Sequence, residues 1–70
     1  MDLKLFAERL RELRLEKGLT TIQLADAVGF GDSAISYWEN QKRMPSAESI
    51  SKLAQFFGVS TDYLIGLKDH

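Results

Sequence analysis

The stretch TTIQLADAVGFGDSAISYWEN, residues 20–40, decides the fold of this chain. Thr20, followed three residues later by Gln23, forms a capping-box pattern that predicts the start of a helix of about two turns. The GFG sequence at 29–31 predicts a turn, and a second short helix is expected over about residues 32–40. The stretch therefore predicts two short helices joined by a tight turn.

The side chains of the later helix divide into an apolar side and a polar side. At about 100° per residue, Ile35 and Trp38 fall close together, and the polar residues fan across the opposite side. Those polar-side residues are Ser33, Ser36, Tyr37 and Asn40. An aromatic residue on a short helix usually belongs to the core, but the angle of Tyr37 favours exposure. We expect one side of the helix to pack and the other to be free.

Outside this stretch, glycines and capping residues divide the chain into three further helices. Leu3, Phe6, Leu10 and Leu13 recur at steps of three and four, which predicts a first helix that Gly18 ends. The capping residues expected later in the chain are Ser46 and Ser60, with Gly58 ending the helix between them. No β-rich run is found, so only helices are expected.

The expected fold class is therefore all-α, a compact five-helix bundle. Seventy residues form one small domain, residues 1–70, with no room for a second. Its helix-turn-helix is expected at about 20–40, and a C-terminal tail at 67–70.

Composition argues against several classes of protein. The chain has no cysteine, so we expect neither a disulfide nor a thiolate metal site, and we expect a cytoplasmic location. No apolar run approaches the roughly 18 residues of a membrane helix, so no membrane partner is expected. The single histidine, His70, is the last residue and is expected to be disordered, and no paired acids converge. We therefore expect no enzyme activity, no metal and no cofactor.

The net charge of −1 averages over an uneven distribution. Residues 19–41 contain Asp26, Asp32 and Glu39 and no Lys or Arg, whereas the segments on either side carry a small excess of basic residues. Any basic surface that binds a polyanion must therefore flank this middle segment.

One arginine falls where a charge needs a partner. On the first helix, Arg14 lies between Leu10 and Ala7 in angle, at the edge of the apolar face. A buried charge left unpaired costs several kcal/mol. Glu39 has the matching position on the inner edge of the third helix, so we predict an ion pair that locks the two helices together. Two solvated surface charges are the alternative that geometry alone leaves open.

Several segments match a known pattern in their order and spacing. They are Arg14 followed by KGLT at 17–20, LADAVG at 24–29, ISYWEN at 35–40, KRMPS at 42–46 and LAQFFGVSTDYLIG at 53–66. Together they resemble the helix-turn-helix domain of the lambda repressor/Cro (XRE) family of bacterial and phage transcription regulators. The resemblance implies a five-helix bundle whose second helix crosses the DNA backbone and whose third helix faces the major groove. It also implies the pair between Arg14 and Glu39.

The resemblance further implies how such a domain binds DNA. The residues implied to contact bases are Asp32, Ser33, Ser36 and Tyr37. The residues implied to contact phosphates are Lys17, Thr21, Asn40, Lys42 and Arg43. The implied partner is double-stranded DNA carrying a palindromic operator, bound by a homodimer. No small-molecule effector is evident in this chain.

Three positions depart from the family's pattern. Gly31 stands where Ser or Thr is common, and it supplies no hydroxyl for a phosphate. Gln41 stands where Gly is common, and a left-handed backbone there would strain it unless Asn40 takes that role. Asp32 stands where Gln, Arg, Lys or Thr is common.

Two interpretations of Asp32 remain open. A carboxylate in the first turn of a helix is stabilised by the helix dipole, by about 0.3–1 kcal/mol, without any role in recognition. Alternatively, Asp32 accepts a hydrogen bond from cytosine N4 or adenine N6 and is repelled by phosphates at other sites. Both interpretations predict a binding affinity that depends less on salt than that of a more basic relative.

Apolar residues near the C-terminus predict a dimer face. These residues are Phe56, Leu64, Ile65 and Leu67. Ordinary packing of the fifth helix on the first and fourth is the alternative, and it is weaker for Leu67 than for Leu64. Ile22, on the outer side of the second helix, is expected either to touch a thymine methyl group or to be a solitary exposed aliphatic residue.

Two classes of function are compatible with these observations. The first is a sequence-specific DNA-binding regulator, a repressor that binds an inverted repeat as a homodimer. The second is a protein-interaction module, for example an antitoxin, that keeps the fold. The absence of Lys and Arg from residues 19–41 keeps the second open, whereas the polar and basic residues implied to face phosphates favour the first.

Overall fold

A computed structural model describes residues 1–69, and within them the chain forms five helices and no strand. The helices are α1 (Leu3–Glu16), α2 (Thr21–Val28), α3 (Ala34–Glu39), α4 (Ala47–Phe57) and α5 (Thr61–Leu64). The all-α, five-helix architecture expected from the sequence is confirmed. The expectation for His70 lies outside the described residues. None of these helices combines the length and the apolar character needed to cross a membrane.

Four of the five described helices begin with a side-chain cap. Asp2, Thr20, Ser46 and Ser60 each accept a hydrogen bond from the backbone N–H three residues later. The capping box of α2 is complete, because the side chain of Gln23 also accepts a hydrogen bond from the backbone N–H of Thr20. The starts of α1, α2, α4 and α5 are therefore set by side chains within three residues of the backbone groups that they cap.

The core collects one or more side chains from every helix. Its buried members are Phe6, Leu10, Leu24, Ala25, Ile35, Trp38, Leu53, Ala54 and Leu64. α3 contributes Ile35 and Trp38, the apolar pair expected from the sequence, and Phe30 packs edge-on against Trp38 with ring centroids 5.1 Å apart. Each large side chain buried in this way stabilises the fold by about 1.5–3 kcal/mol. The core therefore holds one side of α3, and the other side faces away from the core.

The expectation that Leu64 contributes to a dimer face is wrong. Leu64 is 0% exposed and belongs to the core. Because α5 is only 4 residues long, a single inward position has to attach it to the rest of the bundle, and Leu64 holds that position. Leu67 is 71% exposed, and Phe56 and Ile65 are half-buried. The predicted dimer face is therefore reduced to these three residues.

Arg9 ties the segment after α5 to α1. Its guanidinium donates hydrogen bonds to the backbone carbonyls of Tyr63 and Lys68 and lies 4.2 Å from the centroid of the Tyr63 ring. This contact was not expected from the sequence. The helical geometry that puts Arg14 on one edge of the apolar face of α1 puts Arg9 near the other edge. The same geometric argument could therefore have predicted that Arg9 has a partner.

Candidate nucleic-acid interface

α3 begins later than the sequence suggests. The helix was expected from about residue 32, but its first helical residue is Ala34, and the preceding residues form a turn. The backbone N–H of Ala34 donates to the carbonyl of Gly31 at 3.0 Å, which closes this turn. Ser33 occupies the N-cap position with a helical backbone, so its hydroxyl accepts no capping hydrogen bond. The helix therefore starts at Ala34, the residue whose N–H donates to the Gly31 carbonyl.

The late start of α3 changes the position of Asp32. Asp32 is exposed and lies before the helix, whose first turn contains no acidic residue. Stabilisation by a helix dipole decays outside the first turn and is small for a helix of 6 residues. The carboxylate stands beside the exposed Ser33 at the leading end of α3, one residue before the N-cap.

Further along α3, the polar side chains face away from the core. Ser36 and Tyr37 are half-buried, and Asn40 is exposed. The Asn40 side chain folds back on the helix, where its Nδ2 donates to the backbone carbonyl of Ser36 at 2.8 Å. That bond fixes the direction of the amide, and it adds a second donor to a carbonyl that already accepts the backbone N–H of Asn40 at 3.0 Å.

The end of α3 depends on a left-handed residue that is not glycine. Gln41 has φ +58°, and it is the only non-glycine residue with positive φ in the described part of the chain. The backbone N–H of Gln41 donates to the carbonyl of Trp38 at 3.1 Å, and that of Lys42 donates to Tyr37 at 2.8 Å. These two bonds form a Schellman motif, in which the αL position is usually glycine. The alternative in which Asn40 takes the left-handed role is wrong, because Asn40 has φ −95°.

Replacing Gln41 by Gly is expected to stabilise the domain by about 0.5–1 kcal/mol, because glycine adopts this φ without strain and this relief exceeds the larger chain entropy that glycine loses on folding. In a domain of this size the thermal midpoint should rise by about 2–8 °C, measured by circular dichroism. Gln41→Ala is the control: it keeps the strain and should bring no rise. A midpoint for Gln41→Gly at or below that of the unmodified protein would contradict this explanation.

Because of this turn, the chain after α3 folds back over the helix. The guanidinium carbon of Arg43 lies 4.5 Å from the centroid of the Tyr37 ring, within the range of a cation–π contact. Arg43 and Lys42 are both exposed. Two cationic side chains therefore follow directly on the outer face of α3, and one of them rests on an aromatic residue of that face.

Behind α3, an ion pair joins its last residue to α1. Arg14 Nε donates to Glu39 Oε2 at 2.7 Å and Nη2 donates to Oε1 at 2.9 Å, the bidentate arrangement of a guanidinium with a carboxylate. The two side chains are 11% and 7% exposed, so the pair expected from the sequence is present and nearly buried. Hydrogen bonding to Glu39 raises the pKa of the Arg14 guanidinium, against the opposing effect of burial.

Arg14 also reaches the segment between α1 and α2. Its Nη1 donates to the carbonyl of Leu19 at 2.8 Å, directly before the capping box that starts α2. A single guanidinium therefore connects the end of α3, the start of α2 and α1. This connection fixes the relative orientation of the two helices of the helix-turn-helix.

The remaining candidate residues lie at the start of α2 and just before it. Thr21 is half-buried, and the neighbouring Ile22 is 51% exposed. Lys17 is exposed, but its Nζ lies 5.5 Å from the centroid of the Phe56 ring of α4. The structure thus brings Arg43 directly against α3. Lys17 lies beside α4 instead, and within residues 1–69 its side chain forms no hydrogen bond with Thr21 or α3.

Comparison with known proteins identifies the same part of the chain. A family model described as helix-turn-helix matches residues 10–64. The chain is 35% identical over 65 residues to an uncharacterized HTH-type transcriptional regulator, YobD, of Bacillus subtilis (strain 168), covering 93% of this chain and 58% of that protein. It is 42% identical over 60 residues to the HTH-type transcriptional activator BcrR of Enterococcus faecalis, covering 86% of this chain and 29% of that protein.

A phage protein is also among the relatives. The chain is 31% identical over 61 residues to the cryptic phage CTXphi transcriptional repressor RstR of Vibrio cholerae, covering 87% of this chain and 55% of that protein. The chain thus spans between 29% and 58% of the length of these three relatives. The match includes α2, the turn and α3 together with most of the supporting helices. The chain therefore belongs to the helix-turn-helix family of transcription regulators of the lambda repressor/Cro (XRE) type.

Proposed function

We propose that this protein is a sequence-specific DNA-binding repressor that binds an inverted repeat as a homodimer, with α3 in the major groove. The observation that carries the proposal is the construction of α3. Its inner side is fixed by the core and by the bond from Arg14 to Glu39, its outer side is polar, and two exposed cations, Lys42 and Arg43, follow it. A short helix held in this way is what direct readout of base edges requires.

The leading end of α3 supplies the groups for base contacts. Asp32 and Ser33 are exposed there, and Ser36 and Tyr37 continue the same side. A carboxylate only accepts hydrogen bonds, so Asp32 selects cytosine N4 or adenine N6 and rejects positions that offer an acceptor. A hydroxyl donates or accepts, so Ser33 and Ser36 tolerate either. We assign the choice of sequence to these four residues.

The flanking residues supply contacts to phosphates. We assign this role to Lys17, Thr21, Asn40, Lys42 and Arg43. Lys42 and Arg43 are placed best for it, because both are exposed and follow α3 without an intervening element. The Asn40 amide has two N–H donors, and one of them is bonded to the Ser36 carbonyl. Asn40 therefore contacts a phosphate either by breaking that bond or by donating its second N–H. Lys17 takes part only if its ammonium moves from the Phe56 ring toward the DNA.

The homodimer is supported by the exposed apolar surface after α5. Leu67 is 71% exposed, and Ile65 beside it is half-buried. A two-fold contact through this surface would present two copies of α3 to half-sites about one helical turn apart. Such a dimer covers the operator and acts by excluding other proteins from it. RstR is named a repressor and BcrR an activator, so the direction of regulation has to be measured.

A selection of bound sequences from random duplexes, run at two salt concentrations, tests this function. We expect enrichment of a palindrome whose half-sites lie about one helical turn apart, and two copies of the protein on each selected duplex by sedimentation. A selected operator placed over a promoter should lower the expression of a reporter.

Protein binding without DNA recognition is the competing function, and the lack of Lys and Arg in residues 19–41 is the observation in its favour. Under that alternative no duplex is enriched, even at low ionic strength. Enrichment of a sequence without two-fold symmetry would retain DNA recognition and exclude the proposed dimer.

A further inference from the structure

We infer that Arg43 is a positioning residue for sequence choice: it holds the ring of Tyr37 in a fixed orientation toward the base edges, in addition to any contact with phosphate. This inference rests on the proposed function and assigns to Arg43 a role that Lys42, its neighbour with the same charge, does not share. The carrying observation is the stack of the guanidinium on the Tyr37 ring, at 4.5 Å from its centroid.

The turn after α3 builds this stack. Gln41 in its left-handed conformation reverses the chain, and the bond from the Lys42 N–H to the Tyr37 carbonyl, 2.8 Å long, fixes the reversal. The next residue, Arg43, is thereby returned to the turn of the helix that carries Tyr37. The backbone of Lys42 is used in the turn, whereas its side chain is exposed and, within residues 1–69, lies over no aromatic ring.

Without a contact that orders its ring, a tyrosine on this face of α3 would discriminate poorly between bases. Tyr37 is half-buried, so the core alone does not hold its side chain in one staggered orientation. Ordering the side chain on binding DNA therefore costs conformational entropy. A planar guanidinium over the ring restricts that rotation before DNA arrives. Preorganisation of this kind adds to affinity only where the ring finds its matching base.

The chemistry of the guanidinium permits both roles together. Arg presents five N–H donors at the edges of a planar group, and a cation–π contact of its delocalised charge with a ring consumes none of them. Arg43 can therefore cover Tyr37 and donate to a phosphate from the same position. A lysine ammonium supplies the charge without the planar face, which makes Arg43→Lys the variant that separates the two roles.

The test measures the ratio of dissociation constants for a scrambled duplex and for the selected operator. Arg43→Lys keeps the charge, so it should weaken binding to the scrambled duplex less than binding to the operator, and the ratio should fall by about two- to five-fold per half-site, the range of an exposed cation–π contact. Lys42→Ala is the matched control: it should weaken binding to both duplexes and leave the ratio unchanged.

A double-mutant cycle checks that the effect passes through the ring. In a Tyr37→Ala background, Arg43→Lys should have no further effect on the ratio. In the free protein, the ring should shift the NMR resonances of the Arg43 Cδ protons upfield, and Tyr37→Ala should abolish that shift.

The outcomes separate the two proposals. Retention of the full ratio by Arg43→Lys, or independent effects of the two substitutions, overturns the role of Arg43 and leaves the proposed function standing. A ratio of one for the unmodified protein, with no duplex enriched, overturns both.

Discussion

Replacing Arg14 by Met is expected to lower the free energy of unfolding by about 3–5 kcal/mol, because it strands the carboxylate of Glu39 in the interior without its partner. Glu39 is 7% exposed and receives two hydrogen bonds from Arg14. A domain of 70 residues has a total stability of roughly 4–10 kcal/mol. The loss therefore amounts to about a third or more of the total stability, and the urea midpoint should fall sharply, as measured by urea titration with Trp38 fluorescence.

Two variants make this result interpretable. Arg14→Met combined with Glu39→Met removes both charges, and it should recover stability to within about 1–2 kcal/mol of the unmodified protein. Lys52→Met breaks the exposed pair with Glu48, 3.3 Å long, in which the side chains are 48% and 78% exposed. Because exposed pairs contribute little, that change should cost less than about 1 kcal/mol. A loss below about 0.5 kcal/mol for Arg14→Met would show that the buried pair has no structural role.

Replacing Lys42 and Arg43 together by Ala is expected to weaken DNA binding about a thousand-fold near 0.1 M salt and far less near 1 M. Each phosphate contact adds about 0.9 to the magnitude of the slope of log affinity against log salt. A dimer loses up to four such contacts, two from each copy, so the slope should become shallower by about three to four. Fluorescence anisotropy on the selected operator at several salt concentrations measures both quantities.

The matched control for this change is Lys68→Ala. Lys68 is an exposed lysine outside the helix-turn-helix, and it lies 3.9 Å from Asp62. Its removal lowers the net charge by one unit for each copy, as Lys42→Ala alone does and half as much as the double replacement, but it should leave the salt slope unchanged. If Lys68→Ala flattened the slope as much as Lys42→Ala does, overall charge and not local phosphate contact would govern binding.

Local sequence was sufficient to predict most of the fold. Thr20 with Gln23, Ser46 and Ser60 start their helices because capping depends on residues only two or three positions apart. Helical geometry placed Arg14 at the edge of an apolar face and Glu39 opposite it, but it left two solvated charges as an alternative, and the family resemblance favoured the pair that the structure contains.

The features that the sequence did not predict depend on tertiary context. The start of α3 was placed too early, because the turn at Gly31 and Ser33 adds residues of helical appearance without a side-chain cap. Leu64 was left between a dimer face and ordinary packing, because a single turn of helix does not reveal which apolar residue points inward, and the structure places it in the core. The contact between Tyr37 and Arg43 requires the left-handed turn at Gln41, which the sequence allowed but did not require.

The attachment of α3 has a consequence for redesign of the protein. Ile35, Trp38 and Glu39 hold the helix to the rest of the molecule, whereas Asp32 and Ser33 are exposed and contribute nothing to the buried core. Libraries varied at those two positions should therefore melt within a narrow interval of one another while diverging in the operator half-sites they prefer. The domain is suited as a scaffold for genetic switches that do not cross-react, because its sequence preference can be changed without changing the residues that stabilise its fold.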